Sequence, residues 1–76
     1  MWRNNDADIC RYLTEAHDFA IRECNHNRDT AKQKLQEFIR KDRRLDNMNA
    51  NQLADAVERH RYNGSVIDLD ALRLAP

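Results

Sequence analysis

The sequence predicts an all-α fold: a three-helix antiparallel bundle with helices over about 6–25, 29–45 and 50–62, followed by a short C-terminal helix or extended segment. Three observations carry this reading. Apolar residues recur at three- and four-residue intervals in each stretch, the period of one helix face. The 76 residues include one Gly and one Pro, too few for the repeated turns of a β-rich fold. The gaps between periodic stretches are short, which makes successive helices antiparallel neighbours.

The first helix is the most informative element. Ile9, Leu13, Ala16, Ala20 and Cys24 form one apolar stripe. Tyr12 and Phe19 widen it on one side, and Cys10, His17 and Ile21 on the other. Asp8, Arg11, Glu15, Asp18 and Arg22 collect opposite. The apolar arc spans roughly 200°, against about 100° for an ordinary surface helix. An arc that wide is covered from two sides, either by two helices of the same chain or by one helix and a partner. Asn5 or Asp6 is placed to cap this helix. Asn25, His26 and Asn27 favour a turn and end it. Trp2, the single tryptophan, is expected to fold back on the core.

The second helix starts near Asn27 to Thr30, with Asp29 and Thr30 as candidate caps. Ala31, Leu35, Phe38, Ile39 and Leu45 make its apolar stripe. Arg40, Lys41, Arg43 and Arg44 crowd its last turns, where cations favour the negative end of the helix dipole. The third helix has the clearest start. Asn49 stands three residues before Gln52, a capping-box spacing, and Met48 with Leu53 supplies the hydrophobic staple. Leu53, Ala56, Val57 and His60 form a narrow stripe, and Gly64 is a left-handed terminator. In the tail, Val66 and Ile67 read as extended. Asp68 then caps a short helix carrying Leu69, Leu72 and Arg73; alternation of Ile67, Leu69 and Ala71 leaves a strand as the other reading.

The residues 1–76 make one helical domain with a small core and a few kcal/mol of stability to spare. Apolar residues are 41% and charged residues 34%, a balance that favours completion of the apolar surface by another chain. Formal net charge is zero, so no general attraction to nucleic acid or anionic membrane is implied. The distribution is uneven: residues 28–44 carry +4 between two flanking segments of −2 each. No apolar run is long enough to span a bilayer and no signal-peptide core stands at the N-terminus, which makes a cytoplasmic location the expectation.

Several chemistries are disfavoured by spacing. Cys10 and Cys24 lie roughly 21 Å apart on a continuous helix, far beyond disulfide reach. Cys10, His17 and Cys24 share one face, but roughly 10 Å separates neighbours, so they do not converge on an ion and no metal or cofactor is expected. His17 is also out of hydrogen-bond reach of either thiol, and no enzyme is expected. The stretch from Asp46 superficially follows a calcium loop, yet Asn51 replaces the glycine and Val57 the terminal acid. Gln52-Leu53-Ala54 with Ala56-Val57 resembles the opening of a helix-turn-helix. The turn glycine does not fall where that motif requires it, and Asp68 and Asp70 would repel phosphate on a recognition helix.

What remains is a small non-enzymatic protein-binding module: a regulator, inhibitor or adaptor acting through a helical surface. The partner-binding candidates are Arg40, Lys41, Arg43 and Arg44. The self-association candidates, for a homodimer with two first helices crossing near His17, are Cys10, His17, Ile21 and Cys24. The alternative is a nucleic-acid-binding regulator using the same basic cluster. No exposed aromatics interleave that cluster in the sequence, so base stacking is not expected.

Overall fold

The computed structural model describes residues 4–73; Trp2 lies outside them. Helix α1 spans Asn4–Glu23, α2 Arg28–Lys41, α3 Ala50–Asn63 and α4 Leu69–Leu72. A 3-10 turn, Arg43–Leu45, follows α2. The architecture is the expected all-α three-helix bundle. α2 packs against both of its sequence neighbours, and α1 and α3 also meet. Among the described residues no strand occurs, only an isolated antiparallel bridge between Met48 and Arg73.

The boundaries follow local chemistry. α1 already includes Asn5 and Asp6, so neither residue is its cap; Asp6 instead lies in the first turn, where a carboxylate favours the positive helix end. α1 stops at Glu23 rather than near residue 25. Asn25 and His26 adopt left-handed backbone, with φ of 51° and 63°. The His26 amide donates to the Ile21 carbonyl at 2.8 Å and the Asn25 amide to the Arg22 carbonyl at 3.3 Å, the two bonds of a Schellman termination. Asn27, not Asp29 or Thr30, caps α2: its side chain accepts from the Thr30 amide at 3.1 Å.

α2 ends at Lys41, four residues earlier than its apolar period implies. Asp42 turns extended and its side chain caps the 3-10 turn, accepting from the Arg44 amide at 2.9 Å. Leu45 is still buried, but from that turn. Asn49 caps α3 as expected, accepting from the Gln52 amide at 3.1 Å. Gly64 ends α3 in the left-handed conformation, φ 74°. Asp68 caps α4 through the Ala71 amide, so the tail is extended and then helical.

The core is one cluster of Ile9, Cys10, Leu13, Leu35, Ile39, Leu53, Val57 and Leu69 with their smaller neighbours. Met48 and Leu53, the expected staple, both belong to it. The α3 stripe is wider than its spacing implied, because Ala54 is also fully buried. Ile67 is 0% exposed while adjacent Val66 is 77% exposed. The extended segment thus plugs one apolar side chain into the bundle. Buried Asp6 accepts from the Arg73 guanidinium at 2.9 Å, fastening the segment after α4 to the first turn of α1.

Candidate partner-binding surface

The four expected contact cations do not share one helix end. Arg40 and Lys41 sit exposed in the last turn of α2, and Arg43 sits exposed in the 3-10 turn. Among the described residues none of these three forms an ion pair. Arg44 is already engaged. Its Nε and Nη2 donate to Asp42 at 3.2 and 2.8 Å, and its guanidinium carbon stands 5.2 Å from the Tyr12 ring centroid. Hydrogen bonding from Arg44 holds the Asp42 carboxyl below its ordinary range, against the opposing effect of burial. Arg44 therefore offers a partner less free charge than its neighbours.

The other cations of the basic segment are largely consumed within the fold. Lys32 pairs with Asp55 and, at 3.8 Å, with Glu58; Arg28 lies 4.0 Å from Glu58. The bond to Asp55 is the main cause of a raised Lys32 pKa. These bridges tie α2 to α3. Arg28 also stacks over Tyr62, 3.8 Å from its centroid. Within residues 28–44, the cations without an ion-pair partner among the described residues are Lys34, Arg40, Lys41 and Arg43.

The self-association residues divide in the same way. Cys10 and His17 are buried, 5% and 3% exposed. The His17 ring meets Tyr62 of α3 edge-on at 5.4 Å, and its Nδ1 lies 3.1 Å from Asp18 Oδ1. Asp18 accepts two bonds from Arg61 of α3, at 3.1 and 3.0 Å. α3 thus covers the flank of α1 that a partner was expected to share. Ile21 and Cys24 remain half-buried, and both thiols are free.

Cys10 and His60 border one shallow depression with Arg11 and Thr14. Burial first, then the charge of Asp6, pushes the Cys10 thiol up, which lowers the share of the thiolate that nucleophilic attack employs. His60 Nδ1 lies 2.9 Å from the Ser65 carbonyl oxygen. Among the described residues no three His, Cys, Asp or Glu side chains converge as a metal site. None of the described helices is long and apolar enough to cross a membrane.

Sequence reasoning missed a groove between α1 and α2. Tyr12, Ala16 and Phe19 line it from α1 and Phe38 from α2, around a depression of about 300 Å³. Phe19 is 42% exposed, and its ring lies 6.1 Å from that of Phe38. Lys34 Nζ stands 5.6 Å from the Phe19 centroid. The basic segment thus has aromatic neighbours, Phe19 at Lys34 and Tyr12 at Arg44, although none interleaves residues 40–44 in the sequence. The aromatics come from α1 across the helix hairpin, so linear interleaving could not reveal them. No protein-family model, curated protein or solved structure matches this chain.

Proposed function

We propose that this protein is a non-enzymatic protein-binding module, a small regulator, inhibitor or adaptor that engages an acidic surface of another protein. The observation that carries this reading is the charge left over after internal pairing. Arg40, Lys41 and Arg43 have no ion-pair partner among the described residues, although the remaining basic residues of α2 and its turn are mostly matched. Solvated helix ends often carry such charge; here Arg40, Lys41 and Arg43 stand exposed together in the last turn of α2 and the 3-10 turn that follows it. Self-association, if it accompanies this role, falls to the half-buried margin of α1 at Ile21 and Cys24.

The test is affinity capture with the wild-type chain and with an Arg40→Glu, Lys41→Glu, Arg43→Glu variant, each with and without nuclease. Capture of one stoichiometric protein that survives nuclease and is lost in the variant supports the reading. Recovery of nucleic acid alone, with affinity falling steeply as salt rises, overturns it in favour of phosphate binding.

A further inference from the structure

We propose that the groove between α1 and α2 receives an amphipathic helix of a partner protein, with the partner's acids along one flank only. This rests on the protein-binding reading and names its partner class. Tyr12, Ala16 and Phe19 stand at positions i, i+4 and i+7 of α1. Two aromatic rings therefore rise on either side of a small, buried alanine, and Phe38 closes the dent from α2. Tyr12 and Phe19 are about 10.5 Å apart along the axis, two helical turns. An incoming helix presents apolar side chains at i, i+3 or i+4, and i+7 over the same length.

Charge fixes the orientation. On the α2 edge, where Glu37 is also exposed, Lys34 reaches over Phe19, and exposed Lys41 lies seven residues further along the same side of the helix. Neither forms an ion pair among the described residues. On the α1 edge stands exposed Glu15, which also has no ion-pair partner among them. A helix with acids facing Lys34 and Lys41, and none facing Glu15, satisfies both edges. A helix acidic on both flanks meets repulsion at Glu15. Nucleic acid, which brings phosphate to every edge, meets the same repulsion and an apolar floor.

The experiment is selection from a displayed library of helix-forming 14-residue peptides, using the folded full-length chain as bait. Enriched peptides are then titrated against isotope-labelled wild type, Phe19→Ala and Lys34→Glu. Phe19 and Lys34 are both at the surface, and circular dichroism verifies that each variant retains its helices. The expected result is enrichment of apolar peptides with acids on one flank, shifts at Tyr12, Phe19 and Phe38, and binding at least about tenfold weaker in both variants. Peptides that shift only Arg40 and Arg43 overturn the groove assignment while leaving the protein-binding reading intact. No enrichment, together with binding of duplex or single-stranded nucleic acid, overturns both. A dimer in sedimentation that Phe19→Ala dissociates overturns the partner helix in favour of a second copy.

Discussion

Arg73 Nη2 lies 2.9 Å from Asp6 Oδ1, joining the first turn of α1 to the residue that follows α4. The same guanidinium also pairs with Asp70. The Asp6 side chain is 10% exposed and that of Arg73 32%, so only the acid is substantially withdrawn from water. Removing Arg73 leaves a nearly buried carboxylate without its cation. Arg73→Ala is expected to cost about 1–2 kcal/mol, below the range for a fully buried pair because solvent screens the arginine. A double-mutant cycle with Asp6→Asn, read by urea denaturation, should return a coupling near 1 kcal/mol. Strict additivity would show that the contact contributes nothing.

The extended segment before α4 offers a comparison between adjacent residues. Ile67 is fully buried and Val66 is largely in solvent. Ile67→Ala should lower stability by about 2–4 kcal/mol through lost burial and a residual cavity. Val66→Ala should stay within about 0.5 kcal/mol of wild type. Equal effects in thermal melts would show that the segment does not dock.

The α1–α2 turn holds two consecutive non-glycine residues in left-handed backbone. Such geometry costs an L-residue roughly 1 kcal/mol, less for Asn. His26→Gly should therefore raise stability by about 0.5–1 kcal/mol, and Asn25→Ala should lower it by a similar amount. Calorimetric midpoints moving in opposite directions would establish that this strain is real; a destabilised His26→Gly would refute it.

Asp42 gives the fold an acid dependence of known sign. Its carboxyl titrates lower in the folded state because Arg44 donates to it. The unfolded chain therefore takes up the proton first as pH falls. The associated stability is present above the ordinary aspartate range and is lost as pH drops through the lowered folded value. Asp42→Asn keeps a side-chain oxygen for the Arg44 amide but removes the charge. Its stability should vary less between pH 5 and about pH 3 than that of wild type. Parallel pH profiles for the two proteins would refute the assignment.

The features most legible in the sequence were local. Asn49 with Gln52, Gly64 and Asp68 each act within one turn, so their spacing alone identified the caps and stops that the structure contains. The end of α2 was misread because Leu45 continues the apolar period and is indeed buried. Periodicity records which side chains reach the core, and a 3-10 turn delivered Leu45 there as well as a helix would have. The signal for the break was Asp42, an N-capping residue inside the basic run. The groove was illegible for a different reason. Tyr12, Phe19 and Phe38 all belong to apolar arcs, and their burial depends on how far each neighbouring helix overlaps the arc's margin. That overlap leaves Phe19 open while α3 covers His17. It is set by three helices jointly and by no single stretch.

The central position of α2 has a kinetic consequence. Because α2 packs on both of its sequence neighbours, most native contacts close short loops. Folding then proceeds from either hairpin with little entropic delay, on the microsecond-to-millisecond scale of about the fastest helical bundles. The junction between Asp6 and Arg73 spans 67 positions, and on loop-closure grounds it is expected to form after the hairpins. Weakening it should leave the folding rate nearly unchanged and accelerate unfolding. A contact between the two ends of the described chain would thus act on the lifetime of the fold rather than on the speed of reaching it.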